Sequence, residues 1–395
     1  MKLLLAFVTL SLIVSSLLCY SKEASVNTQT LSDISKKHKP QTIKILLHKD
    51  LPQAFLEAKG RYFVYNPQND FLIASGIYSK KQPIFSQEAG LKWGELFPGV
   101  SQMRLVPGSS QSTILVNGIE YKGCVEIYDI KGKLHIINEI DIENYLRSTL
   151  SLQSLSELDE EVMDALAIIA RTKAYYLANK DPLLHWHVTS LEIEYQGSAL
   201  ACQNPSIPAC ISRTRNMILT YQSAPFEASW TEDSGGKTAS FSSIFRKNIM
   251  TPSGVDSPIA SAQRENHNWS FVISKQQLAR LLDVKSIQAL DLYQDADSHK
   301  VYAIRYKDGN KLKQMDFFTL QKKLGAKLKS NEFTIDADEK TVCFTGYGKG
   351  HGVGLCLFSA ICMAKNAKKT PEILNHFFPN TKLEHMERLS TKTKV

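Results

Sequence analysis

The segment from Gly346 to Gly354 constrains the fold of this chain more than any other stretch. It places five of the chain's 20 glycines at every second position of nine residues, with one imidazole, His351, among them. Glycine costs backbone entropy on folding, so this alternation is favoured where the backbone closely approaches a ligand or another backbone. No frame matches the dinucleotide fingerprint G-x-G-x-x-G. The segment therefore indicates either a ligand-binding loop or a tight turn packed on the protein.

Short β-branched and aromatic runs, separated by turn residues, predict a strand-rich N-terminal region. These runs are residues 43–47, 62–65, 71–74, 103–106, 113–116, 125–128 and 134–137. Farther along, residues 301–306 and 311–317 flank Asp308-Gly309, and this pattern predicts a β-hairpin. We see no internal repeat and no low-complexity tract.

Two helices are predicted after residue 140. Asp141 can cap the first, whose apolar residues recur with the helical period up to Leu150. The second is predicted to begin at Ser156, which forms a capping pair with Asp159, and it is apolar nearly all round, so we expect it to be buried. Arg171 directly follows this apolar stretch. It is either a helix-end charge that reaches water or a buried ion-pair and hydrogen-bond hub.

The N-terminus has the pattern of an export signal. Met1-Lys2 precedes a largely apolar run from Leu3 to Leu18, which is shorter than a usual membrane span. We expect residues 1–21 to be either a signal peptide or a retained membrane anchor, and residues 22–42 to be a polar tether. The expected location is outside the cytoplasm, in the periplasm or at the outer face of the cytoplasmic membrane.

Export permits disulfides, and the cysteine pattern offers one pair. Cys202 and Cys210 bracket a loop rich in turn formers, and we predict that they pair. His185 and His187 have no nearby cysteines, so we predict no metal site and no cofactor. The formal net charge of +8 favours anionic partners such as membranes or wall polymers. A nucleic-acid partner is not expected, because the positive charge is dispersed and no recognition motif appears.

The glycine-rich segment resembles the motif G-x-G-W-G-H-G-V-G of the SpoIID/LytB family, the stage II sporulation protein D and amidase-enhancer proteins of bacterial cell walls. Other segments resemble the family's motifs in the same order: Tyr121-Lys122-Gly123, Asn138 to Leu146, Ala170-Arg171-Thr172, Tyr195 with Gly197, Thr214-Arg215-Asn216, Leu219-Thr220-Tyr221, Ser234 to Thr238, and Pro371 to Thr381. The resemblance covers roughly residues 120–385.

This resemblance implies binding of peptidoglycan glycan strands and, in enzymatic members, lytic transglycosylation, which leaves a 1,6-anhydro end on N-acetylmuramic acid. The reaction needs one carboxyl group that acts first as acid and then as base. Gln153 occupies the family's acid position, and an amide does not perform this proton exchange. Glu232 and Asp233 are candidates for a relocated acid, or else solvated turn residues. Glu157 is better explained as a helix-start charge.

The resemblance also implies which residues bind the glycan and what the fold contains. Implied glycan-binding residues are His351 with Tyr195 nearby, Gly350, Gly352, Gly235 and Gly236, and Arg171 is implied as a structural hub. The expected α+β fold has a strand-rich region at 43–119, a SpoIID-like core at 120–270 and 341–386, an inserted α+β piece at 271–340 and a basic tail at 387–395.

Two functions follow from these observations. The first is a lytic transglycosylase with a relocated acid. The second is an inactive glycan-binding protein that recruits or enhances a cell-wall amidase or another division protein. Both predict glycan strands as the partner and attachment to the membrane through the N-terminus.

Overall fold

The computed structural model describes residues 42–386 except for 152–157, 182–183 and 199–203. The predicted signal or anchor and the basic tail lie outside the described residues, as does nearly all of the predicted tether. Gln153, Ser156, Glu157 and Cys202 lie outside them as well. Residues 42–386 form one compact unit. The mixture of helices with several β-sheets confirms the predicted α+β fold class.

Residues 42–141 form two antiparallel β-layers. Their strands are β1 (Thr42–Leu51), β2 (Gln53–Lys59), β3 (Tyr62–Tyr65), β4 (Leu72–Gly76), β5 (Ser79–Gln87), β6 (Gly90–Trp93), β7 (Glu95–Pro98), β8 (Gln102–Pro107), β9 (Thr113–Val116), β10 (Ile119–Tyr121), β11 (Cys124–Ile130) and β12 (Lys133–Asp141). One sheet has the order β10-β9-β2-β5-β6-β7. The other sheet contains the neighbouring strands β1-β12-β11-β8-β3-β4. It therefore extends to residue 141, across the boundary expected between the strand-rich region and the core at residue 120.

Two helices follow the second sheet. They are α1 (Ile142–Ser151) and α2 (Glu160–Asn179). Asp141 caps α1 as predicted, since its Oδ1 accepts the backbone N–H of Glu143 at 3.0 Å. The predicted start of α2 at Ser156 is wrong: the helix begins at Glu160, because the Asp159 carboxylate caps it by accepting the N–H of Glu161.

Helix α2 lies at the centre of the main core. Its residues from Val162 to Tyr175 are almost all buried, as the apolar sequence predicted. It contacts α1 and β1 on the N-terminal side, and it also contacts four elements from later in the chain. Those are α3 (Ser206–Arg213), β14 (Met217–Tyr221), α8 (Leu357–Lys365) and α9 (Thr370–Phe377). A short strand, β13 (Val188–Thr189), pairs in parallel with β1. The helix therefore joins the early and late halves of the chain.

We call residues 42–267 and 348–386 the main body; its remaining elements are short. They are β15 (Trp230–Thr231), α4 (Phe241–Phe245), α5 (Pro258–Ala262), β22 (Leu355–Cys356) and β23 (Thr381–His385). β23 pairs with β14, and β22 pairs in parallel with β15. None of the helices in the described residues is long and apolar enough to cross a membrane.

Residues 268–347 pack around a second hydrophobic cluster that includes Trp269, Val301, Phe317 and Phe344. The elements are β16 (Asn268–Ser274), α6 (Lys275–Leu282), β17 (Leu290–Gln294), β18 (Val301–Asp308), β19 (Lys311–Asp316), α7 (Phe317–Leu324), β20 (Phe333–Ala337) and β21 (Thr341–Tyr347). β18 and β19 form the predicted hairpin. We call residues 268–347 the second body; it corresponds to the inserted piece expected at 271–340.

The predicted disulfide is not formed in this structure. Cys210 is a free, fully buried thiol on α3, and its Sγ donates to the carbonyl of Ile207 at 3.1 Å. Burial raises the pKa of this thiol to about 11. Cys210 belongs to the main core cluster, where its thiol packs among apolar side chains. The other half of the predicted pair, Cys202, lies outside the described residues.

Candidate functional site

A short parallel pairing brings the two chemistry-bearing segments together. In β15, Trp230 and Thr231 pair with Leu355 and Cys356 of β22. Just beyond this pairing, Asp233 and Lys349 exchange two backbone hydrogen bonds, at 2.9 and 3.0 Å. Glu232 and Asp233 come just before Ser234-Gly235-Gly236, which we call the Ser-Gly-Gly turn. This acidic pair therefore lies beside the glycine-rich segment, although the two parts are more than a hundred residues apart in sequence.

Both segments line an open cleft of about 450 Å³. Its polar lining consists of Glu232, Asp233, Asn266, His267, Asn268, Lys329 and Lys349, and its apolar lining of Leu357, Phe358 and Ile361, with Gly348 completing it. We call this space the main-body cleft. A mixture of apolar surface and converging polar groups is typical of small-molecule and saccharide sites.

The two predicted acids occupy different environments in this cleft. The Glu232 side chain is 58% exposed, and its Oε2 lies 2.6 Å from Lys349 Nζ. The Asp233 side chain is only 10% exposed. Its Oδ1 accepts the N–H of Gly235 at 2.9 Å, and its Oδ2 lies 2.6 Å from Nδ1 of His267. Both residues reach the cleft, but only Asp233 is held rigidly.

An ion cluster next to the cleft is formed by Lys300 and Glu332 of the second body together with Arg264. Lys300 is 1% exposed, and its ammonium donates to the Ser234 carbonyl and to Glu332 Oε2, each at 2.7 Å. Arg264 lies 2.6 Å from the other Glu332 oxygen and donates to the Gly235 carbonyl at 3.1 Å. Burial lowers the pKa of Lys300. The cluster fixes the Ser-Gly-Gly turn to the second body.

The glycines predicted to bind glycan are packed against the protein itself. A Cβ at Gly352, where φ is +66°, would overlap Lys300 Cε, and a Cβ at Gly235 would lie 2.7 Å from Glu332 Oε2. Gly350 is close to Thr231, and Gly236 is close to Ser261. The resemblance implied these four glycines as glycan-binding residues, and that role stays a prediction. Of the two explanations offered by the sequence, the tight packing of backbone on protein is the one that the structure shows.

His351 does not line the main-body cleft, in contrast to our prediction. Its ring lies edge-on to Phe245, with 5.6 Å between centroids, and Nδ1 accepts the Val353 N–H at 3.1 Å. Its carbonyl accepts from the Asn331 side chain. Burial, reinforced by the positive charge of Lys173, lowers the pKa of His351 to about 4. The imidazole is therefore neutral at pH 7.

We expect His351→Gln to reduce the acid sensitivity of folding. The native pKa of about 4 is below the ordinary value of 6.5, so the unfolded chain takes up this proton first and stability falls as the pH drops from 6.5 to 4. Thermal melts at pH 7 and pH 4.5 should show a smaller difference for His351→Gln than for the parent. His385→Gln, at an exposed position on β23, is the control. An unchanged difference would contradict a buried neutral imidazole.

Tyr195 is also placed differently from the prediction. It is 4% exposed, its hydroxyl donates to Asn138 Oδ1 at 2.8 Å, and its ring packs with Tyr121 and Tyr145. These contacts lie against β12 and α1 rather than beside His351. The tyrosine is a core residue because its only polar atom is satisfied within the protein.

Arg171 is completely buried and joins its own segment to two others that resemble family motifs, those of Glu143 and Thr214. Its guanidinium makes a bidentate pair with Glu143, at 2.9 and 2.8 Å. It also donates to the Thr214 hydroxyl and to the carbonyls of Ile211 and Met217, at 3.2 to 3.3 Å. Of the two explanations for this residue, the buried hub is the one observed. It lies inside the core and does not line the main-body cleft.

Four residues of the site were missed from the sequence. His267 and Arg264 lie on a short 3-10 turn, Arg264–His267, and Lys300 and Glu332 belong to the second body. Each stands outside a recognisable motif, and the contacts that give it a role span 29 to 66 residues along the chain. Nothing in the local sequence signals these contacts.

Comparison with known proteins supports the resemblance drawn from the motifs. Residues 130–221 match the family model described as stage II sporulation protein, SpoIID. An uncharacterised protein of Brachyspira hyodysenteriae is 28% identical over 345 residues, covering 85% of this chain and 90% of that protein. Stage II sporulation protein D of Bacillus subtilis is 24% identical over 277 residues, covering 65% of this chain and 78% of that protein.

A third relative is matched over a shorter stretch. An uncharacterised protein of Chlamydia pneumoniae is 30% identical over 179 residues, which is 45% of this chain. The match spans 65% of that relative's length, somewhat less than two thirds. The matched family region contains Glu143, Arg171 and Thr214, whereas the Ser-Gly-Gly turn and the glycine-rich segment follow it.

Proposed function

Since this chain belongs to the SpoIID family, whose model matches residues 130–221, we propose that it binds peptidoglycan glycan strands and cleaves them by lytic transglycosylation. Family membership supports a cell-wall function of the sporulation-protein class. The glycan substrate, the cleavage after N-acetylmuramic acid and the 1,6-anhydro product are our proposal. The N-terminal apolar run supports action outside the cytoplasm, at or near the membrane.

The main-body cleft is the observation that carries the proposal. It brings the Glu232-Asp233 pair and the glycine-rich segment, both beside family motifs, into one open space of about 450 Å³. Asn266 and Asn268 offer amide groups for hydroxyl and acetamido groups, and Phe358 offers an apolar face for a sugar ring. Lys329 adds a positive charge, whereas the charge of Lys349 is paired with that of Glu232.

The test is the product of the reaction. Purified protein incubated with peptidoglycan is expected to bind it in a sedimentation assay and to release muropeptides with 1,6-anhydro ends, detected by mass spectrometry. Binding without new anhydro ends would favour the second function, a glycan-binding protein that recruits or enhances an amidase. A protein that neither binds nor cleaves peptidoglycan would overturn the proposal.

The second function rests on one observation, the amide at the family's acid position. If Gln153 reflects lost catalysis in an otherwise intact site, Gln153→Glu should create lytic activity, because general acid–base help is worth about 10²–10⁴-fold. If a different group already supplies the proton, the parent is active and the same change alters its rate only modestly. Measuring anhydro ends for the parent and the variant side by side separates the two functions.

A further inference from the structure

We infer that His267, positioned by Asp233, is the group that donates and recovers the proton in the main-body cleft. The inference rests on the proposed function and names the catalytic residue for it. It assigns the proton transfer to His267 instead of Glu232 or Asp233, the two carboxylates that the sequence suggested. The geometry of these three groups in the cleft is the reason.

Glu232 lacks the surroundings of a general acid. Its side chain is 58% exposed, and an ammonium group, Lys349 Nζ, lies 2.6 Å from Oε2. Enzymes that keep a carboxyl group protonated near neutral pH do so by apolar burial, away from cations. Glu232 is instead a hydrated member of an ion pair at the cleft edge.

Both carboxylate oxygens of Asp233 already have a partner within the protein. Oδ1 accepts the Gly235 N–H, and Oδ2 faces His267 Nδ1 at 2.6 Å. Its backbone is fixed on both sides by the exchange of hydrogen bonds with Lys349. A carboxylate held on both oxygens in this way is suited to orient the imidazole of His267.

His267 has one nitrogen held and the other available. Nδ1 faces the Asp233 carboxylate, so it carries a proton and Nε2 is the nitrogen that exchanges one. The ring lies edge-on to Phe358, with 4.6 Å between centroids, and the His267 carbonyl accepts the Gly348 N–H at 3.0 Å. In the described part of the chain no group bonds Nε2, and the side chain, about one third exposed, lines the cleft.

This arrangement supports both proton transfers of lytic cleavage. The protonated imidazole gives its Nε2 proton to the glycosidic oxygen as the bond from that oxygen to C1 breaks, and the bonding electrons leave with the oxygen. The 6-hydroxyl oxygen of the same muramic residue then forms a bond to C1, and its proton passes to Nε2. The imidazole is restored, and the sugar ends as its 1,6-anhydro form without added water.

The experiment compares His267→Gln with the parent and with His385→Gln, whose position on β23 is exposed and outside the cleft. We expect His267→Gln to lower the rate of anhydro-end release by about 10²–10⁴-fold, while sedimentation with peptidoglycan and the melting temperature stay near those of the parent. His385→Gln should match the parent. Glu232→Gln should lose far less activity than His267→Gln.

Two further variants test the assigned roles. Imidazole added to His267→Ala should restore part of the lost rate, which a purely structural histidine would not permit. Asp233→Asn keeps the size of the positioning residue but not its charge, so it should lower kcat more than it changes KM and should shift the pH profile of kcat.

The outcomes separate the inference from the proposed function. An active parent whose His267→Gln variant is equally active overturns the inference alone. So does a His267→Gln variant that loses glycan binding in proportion to its activity, because His267 would then bind substrate without exchanging a proton. A parent that binds glycan but releases no anhydro ends overturns the proposed catalysis, and the inference with it.

Discussion

Replacing Arg171 with alanine is expected to lower the free energy of unfolding by about 3–5 kcal/mol, the usual cost of removing one partner of a buried ion pair. The guanidinium is 0% exposed and holds Glu143 with two hydrogen bonds, Thr214 with one and two backbone carbonyls. The truncation leaves these acceptors without their donor in the interior. Urea unfolding of the parent and the variant measures the difference.

Arg213 provides a matched control for this experiment. It pairs with Asp164 and Glu160, but its side chain is 38% exposed, so Arg213→Ala should cost no more than about 1 kcal/mol. Arg171→Lys should fall between the parent and Arg171→Ala, because an ammonium keeps the charge but not the bidentate geometry. An Arg171→Ala protein as stable as the parent would show that the hub contributes no net stability.

Replacing Lys300 with methionine is expected to cost about 3 kcal/mol of stability. Methionine keeps most of the side-chain length but leaves Glu332 Oε2 and the Ser234 carbonyl without the buried ammonium that binds them. We also expect the variant to lose glycan cleavage, because Lys300 holds the Ser-Gly-Gly turn that follows Asp233. Urea unfolding and the release of anhydro ends measure the two effects.

Two comparisons isolate the cause of the Lys300 effect. A Lys300→Met, Glu332→Gln double variant should recover part of the stability, since it no longer leaves a buried carboxylate short of one partner. Lys327→Met, at an exposed position of the second body, should stay within about 0.5 kcal/mol of the parent. A Lys300→Met variant with parental stability would contradict the view that the buried pair holds the turn.

Patterns along the chain predicted much of the fold. Short β-branched and aromatic runs located β1, β3, β4, β8, β9, β11 and β12, and the apolar run before Arg171 predicted the central, buried α2. Strand β2 was not predicted, because its sequence, Gln-Ala-Phe-Leu-Glu-Ala-Lys, is rich in helix formers. Its alternating burial is imposed by pairing with β5 and β9, which lie farther along the chain.

The site was predictable only in part, because it depends on contacts between distant segments. The sequence singled out the glycine-rich segment and Glu232-Asp233, and the structure places both at one cleft. The spacing of the glycines does not show which groups they approach. Gly352, for example, packs on Lys300, the residue before β18 in the second body. The role of His267 could not be predicted, because it depends on Asp233, which the pairing of β15 with β22 holds beside it.

The pairing of β15 with β22 also determines when, during synthesis and folding, the site can form. Thr231 bonds to Lys349 and Gly352 across 118 and 121 residues, and loop closure over such a separation is among the slower steps of folding. A chain that ends before the glycine-rich segment lacks Gly348, Lys349, Leu357, Phe358 and Ile361 of the cleft lining. The main-body cleft therefore forms only after this late segment has been synthesised.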